Sequence, residues 1–327
     1  MIGIRFACGP RACIRRWFQP SGQVLNDQEA KTLVKTSNSV IWLVELIAVL
    51  ALVAAGTGLF YQDEGNSFSF TSVRGVTVQV YGQGLYRYDT PIGAVGARVG
   101  DAVTLVLGIP LLILSTLSYK RGSLRGGLLL AGILAHFLYG YGSMALGAAY
   151  NNLFIIYVAL LSSSFFALVF LLTSFDVQAL PAHFSKRLPR RGIGIYVIVS
   201  GVVLALVWLV LNIIPALVAG KAPPEASYYT TFITGAIDVG IIAPTLIIVG
   251  VFLLRGAPIG YLLASTVLVF TVVLGTSLTL AGIAQLLAEM VTIGQFTGFT
   301  VGFSILTLFA LWFTIAFFRN FSDTATA

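Results

Sequence analysis

Eight long apolar stretches, separated by short polar segments, set out the plan of this chain. They predict helices over about residues 40–60, 101–119, 127–149, 153–175, 193–218, 237–254 and 259–286, with an eighth near 294–318. About 20 consecutive apolar residues are enough to cross the hydrocarbon layer of a bilayer as a helix. Two of the stretches share a design. Residues 98–126 carry Asp101, Pro110, Lys120, Arg121 and Arg125, and residues 235–256 carry Asp238, Pro244 and Arg255. Pro110 to Arg121 and Pro244 to Arg255 are both eleven steps. The echo predicts two four-helix units in parallel orientation, 39–192 and 193–327, with paired prolines that free backbone carbonyls inside the membrane. The connection 61–97 departs from this pattern. Its short alternating runs around residues 68–73, 76–81 and 85–90 are punctuated by Gly75, Gly82 and Gly84, and predict two or three strands in an external hairpin. The expected fold is an all-α integral membrane protein of eight transmembrane helices, with one small external β-rich hairpin between helices 1 and 2.

Composition agrees with that plan and charge orients it. Hydrophobic residues make up 57% of the chain and charged residues 9%, against about 25% charged in soluble domains. The net charge of +7 is unevenly spread. Under this topology the loops and tails on one side hold 15 of the 19 Lys and Arg, and only four acids. Basic loops stay cytoplasmic. The expectation is a multi-pass protein of the bacterial inner membrane with both termini in the cytoplasm and residues 1–38 as a cytoplasmic tail. The basic loops are short and lack aromatic stacking platforms, so the bilayer, not nucleic acid, is the expected partner; a homo-oligomer is compatible with the sequence. Cys8 and Cys13 form a C-x4-C pair without further Cys or His nearby. Structural zinc wants four ligands, so no metal and no cofactor are expected.

Several polar residues within the apolar stretches are candidates for function. Glu45 lies inside helix 1, where an acid costs up to about 2.5–3.5 kcal/mol unless it is paired or protonated. His136 sits mid-helix with Tyr139, Gly140, Ser143 and Gly147 on its face. Asp101 and Asp238 are read first as acids in the opening turns of helices 2 and 6, favoured by the helix dipole, and second as a pair flanking an outer vestibule. The external segment offers Arg74, Tyr86, Arg87, Tyr88 and Asp89, either as a recognition surface or as an ordered cap. Gly294, Gly298 and Gly302 form a G-x3-G-x3-G stripe, expected to pack helix 8 within the protomer. No catalytic residue emerges: the surroundings of Ser143 are not G-x-S-x-G, and neither H-E-x-x-H nor a phosphate-binding glycine loop occurs in a fitting context. The leading reading is a small-molecule or ion permease whose path runs near Glu45, His136, Asp101 and Asp238. The alternative is a non-enzymatic membrane scaffold or sensor that binds a partner through the hairpin.

TSVRG at 71–75 and YGQGLYRYD at 81–89, with DAVTLVLGIP at 101–110 and DVGIIAP at 238–244, resemble segments of an uncharacterised group of bacterial multi-pass membrane proteins. The resemblance spans residues 40–318 and likens the last two segments to helix 2 and helix 6 of that group. It implies no activity.

Overall fold

The computed structural model describes residues 34–223, 226 and 229–322. Most of the basic tail, with Cys8 and Cys13, lies outside the described residues. Among the described residues, eight helices are long and apolar enough to cross a membrane: α1 Asn38–Phe60, α2 Pro91–Lys120, α3 Leu124–Gly147, α4 Phe154–Thr173, α5 Arg190–Val218, α6 Ile233–Arg255, α7 Pro258–Leu287 and α8 Ile293–Arg319. The chain is an integral membrane protein. Two antiparallel strands, β1 Phe68–Thr71 and β2 Thr77–Val80, pair from Phe68 opposite Val80 to Thr71 opposite Thr77. Gly75 turns the hairpin at a φ of +74°, which a side chain would strain. The third expected run, 85–90, is a tight turn and not a strand, because Leu85 and Tyr86 leave the surface to pack on Ala94.

Helix 2 begins ten residues earlier than its apolar run suggests. Thr90 caps it by accepting from the amide of Gly93 at 3.2 Å, and Pro91 occupies the first position, where its missing N–H is no loss. Asp101 is therefore buried well inside α2 and caps nothing. Asp238 likewise follows a full opening turn, Ile233–Ile237. The expectation of helix-start acids fails at both positions.

Pro110, Pro215 and Pro244 do not break their helices. Each follows a widened five-residue turn: Thr104–Gly108, Leu209–Ile213 and Asp238–Ile242. A proline ring collides with the carbonyl four residues back and offers no N–H. Opening the ladder by one residue absorbs that collision and lets the helix continue.

Helix α1 packs on α2 and α4, and α3 on α2 and α4. On the other side α5 packs on α6, α6 on α7, and α7 on α8, while α3 against α7 joins the two halves. Small residues set the closest approaches. A Cβ on Gly250 of α6 would fall 2.6 Å from the Gly194 carbonyl of α5, and one on Gly132 of α3 would meet Val269 and the Thr266 carbonyl of α7. The glycine stripe of α8 plays no such part. Gly298 and Gly302 have nothing within 4 Å, and Gly294 touches only Thr292. That stripe faces away from the bundle, correcting the expectation that it packs helix 8. The α7–α8 seam is made instead by Gly275 and Gly282 of α7 against Thr307 and Thr300 of α8.

Candidate functional site

The α5–α8 half is hollow. A cavity of about 200 Å³ lies between its helices, lined by Leu204, Leu246, Leu274, Leu278, Phe270, Phe299 and Phe303, with Tyr139 reaching in from α3. Among the described residues, Asp238 is the single Asp, Glu, Lys, Arg or His on its wall. The residue is 6% exposed, and both carboxylate oxygens accept hydrogen bonds: Oδ1 from the Tyr139 hydroxyl at 3.0 Å and Oδ2 from Trp208 Nε1 at 2.8 Å. The Tyr139 ring stands edge-on to Phe270 at 5.6 Å, and Trp208 edge-on to Phe232 at 5.1 Å. In the α1–α4 half, Phe137, Tyr141 and Tyr157 are buried and stack in succession at 6.0 and 6.2 Å.

Above the cavity, on the hairpin face, a vestibule of about 580 Å³ lies between the halves. It is lined by Asp89, Gly93, Ser143, Gly147, Tyr229 and Phe232 among others, and it shares Trp208 and Thr234 with the cavity. Those two residues border both volumes.

The connection between α1 and α2 forms a cap on that vestibule. Arg74 donates to the backbone carbonyls of Ala226, Tyr229 and Thr230 at 3.3, 2.5 and 2.8 Å, tying the hairpin to the α5–α6 loop. Arg87 pairs with Asp63 at 3.0 Å. The amide of Gly84, with those of Gly65 and the Arg87 guanidinium, holds the Asp63 carboxyl below its usual range. Asp89 accepts from the Ala149 amide at 3.0 Å and the Tyr229 hydroxyl at 2.7 Å, and burial nevertheless pushes its carboxyl above the usual carboxylate range. Tyr86 is buried and donates to Asp101 at 2.6 Å, its phenol pushed well up by burial and by that acid. Tyr88 stays half exposed, with the Arg87 guanidinium over its ring at 5.6 Å. Asp101 is thus the anchor through which the cap is bolted to α2, and Gly58 of α1 leaves room for that bond. Replacing Arg74 by Ala removes three charge-assisted bonds at one stroke, each worth about 1.5–3 kcal/mol when desolvated and less where exposed. The expected result is faster proteolysis of the 61–90 connection in reconstituted protein, with helix content by circular dichroism unchanged.

The other two intramembrane candidates lie apart from this site. Glu45 forms an ion pair with Lys120 at 2.8 Å, both side chains about half exposed. Lys120 closes α2 and can carry the pair toward the headgroups. Exposed pairs are worth about 0–1 kcal/mol, so Glu45→Gln is expected to shift thermal unfolding in detergent only slightly. His136 is buried in α3, lines neither volume, and its Nδ1 has no hydrogen-bond partner among the described residues. Among the described residues no three of His, Cys, Asp and Glu converge to hold a metal.

Of the four intramembrane candidates, the structure puts only Asp238 on a cavity. Trp208 and Phe270 were not singled out in the sequence; the one available signal was a tryptophan buried within an apolar run, since buried indole N–H groups seek an acceptor. Comparison with protein-family models, with curated proteins and with solved structures finds no match to this chain.

Proposed function

We propose that this membrane protein is permease-like, passing a small molecule between the hairpin-face vestibule and the cavity within α5–α8. The observation that carries this is the shared border: Trp208 and Thr234 border both volumes, and Trp208 also holds the Asp238 carboxylate. A side chain that walls two chambers and bonds the charged group of one is a natural gate. Pockets lined by apolar groups with a few convergent polar ones are the ordinary form of small-molecule sites. The charge asymmetry of the loops supports an orientation with the hairpin outside and both termini in the cytoplasm. The α3–α7 contact at the middle, with α2 and α6 flanking it, supports two parallel units about an axis normal to the membrane. The scaffold reading is weaker because Arg74, Tyr86, Arg87 and Asp89 are all engaged within the chain.

The test is flux of a solute panel (amines, alcohols, carboxylates, sugars and inorganic ions) into proteoliposomes. At least one class should enter faster than into protein-free vesicles. Absence of flux for every class overturns the proposal.

A further inference from the structure

Resting on that permease reading, we infer that the substrate is a lipophilic organic monocation, its ammonium head held by Asp238 and its hydrocarbon body lying in the cavity. Asp238 is a buried carboxylate that receives two neutral donors and has no ion-pair partner among the described residues. Trp N–H can only donate, so one oxygen is fixed as an acceptor, and both oxygens keep a further lone pair. Buried charges are normally paired, and acids within membrane spans normally meet a cation. A bound cation supplies what the protein does not.

The surroundings select the kind of cation. Tyr139 and Trp208 bond the acid and Phe270 lines the same cavity, and aromatic rings attract ammonium groups by about 0.5–2 kcal/mol each when desolvated. An inorganic ion is poorly served. Hard cations require six or more oxygens, whereas here one carboxylate stands among leucines and phenylalanines. The hydroxyls of Ser200, Thr271 and Thr307 already donate to carbonyls one turn back, at 2.9, 2.7 and 2.8 Å. Anions are disfavoured along the whole route. Among the described residues no Lys, Arg or His lines either volume, while Asp238 and Asp89 do, in a chain whose net charge is +7. A cavity with acids alone in a basic protein concentrates cations.

The test uses the full-length protein in phosphatidylcholine nanodiscs, with empty discs subtracted for lipid partitioning. Hexyltrimethylammonium, 1-heptanol and heptanoate are titrated as cationic, neutral and anionic probes of similar length. The cation should bind at least tenfold more tightly than either control. Asp238→Asn should remove that preference while leaving heptanol binding unchanged. Trp208→Leu, which keeps the carboxylate, should reduce the preference several-fold and serves if the first variant does not fold. Equal binding of cation and alcohol by the wild type, or an undiminished preference in the variants, overturns the inference. Selective binding without flux in proteoliposomes would fell the permease reading and leave the ligand class standing; flux of alcohols without preference for the cation does the reverse.

Discussion

Gly250→Leu is expected to leave little folded protein. The first side-chain carbon alone would sit 2.6 Å from the Gly194 carbonyl and 2.5 Å from Ile198 Cγ1. A carbonyl in a helix has nowhere to swing, so α5 and α6 must separate. Overpacking a core costs about 1–3 kcal/mol when side chains can yield. Here a leucine is driven between two backbones, and separation also strips Leu246, Val249 and Leu253 of their buried contacts. A loss of at least about 3 kcal/mol follows, a large share of the 5–15 kcal/mol typical of native proteins. Thermal unfolding in mild detergent should show it as a fall in Tm or as loss of the monodisperse peak. Gly100→Ala and Gly298→Ala are the controls, since a Cβ at either meets nothing within 4 Å. They should lie within about 0.5 kcal/mol of wild type. A Gly250→Leu protein that unfolds at the wild-type temperature would mean that the two helices do not approach this closely.

The same contact bears on the site. Asp238 is carried by α6 and its Trp208 donor by α5, so the 2.8 Å bond spans the helix pair that approaches closely at Gly194 and Gly250. Gly250→Ala, a milder wedge, should therefore loosen the shared border between vestibule and cavity before it unfolds the chain.

What the sequence displays and what it hides divide along physical lines. Existence of the eight helices is legible because a bilayer demands long apolar runs, and nothing else in a chain resembles them. Their ends are not. The residues from Pro91 to Gly100 are rich in glycine and read as loop, yet they form the first turns of α2 because Thr90 and Pro91 start the helix there. That one displacement turned Asp101 from a helix-start residue into a buried anchor for Tyr86. The proline breaks were over-read for a related reason: a widened turn accommodates the ring, and no sequence rule distinguishes that outcome from a kink. The glycine stripe of α8 shows the limit of spacing arguments, since spacing fixes that residues share a face but not what the face meets. The cap was half legible. Arg74, Tyr86, Arg87 and Asp89 stood out by chemistry, whereas the partners of Arg74 and Asp89 on the α5–α6 loop and the α3–α4 turn are distant in sequence. The cavity was illegible. A hollow is a failure of side chains to fill space, and Leu274 or Phe303 looks the same in a packed bundle as in an open one.

That hollow yields the second large expected effect. Leu274→Trp should abolish transport without unfolding the protein. Leu274 projects into the cavity from α7, and a space of about 200 Å³ accepts the additional ring. Filling a cavity commonly adds about 0.5–2 kcal/mol of stability, because wall atoms regain contacts that the void denied them. Thermal unfolding should therefore stay level or rise, while flux of the best-transported solute in proteoliposomes should drop more than tenfold. Leu206→Trp provides the matched control. Leu206 is 51% exposed on α5 and lines neither volume, so the same enlargement there should alter neither reading. Opposite movement of stability and flux separates occlusion from misfolding, because a damaged fold lowers both. Wild-type flux in a stable Leu274→Trp protein would mean that the solute takes another route, and that Asp238 looks into a chamber the substrate never enters.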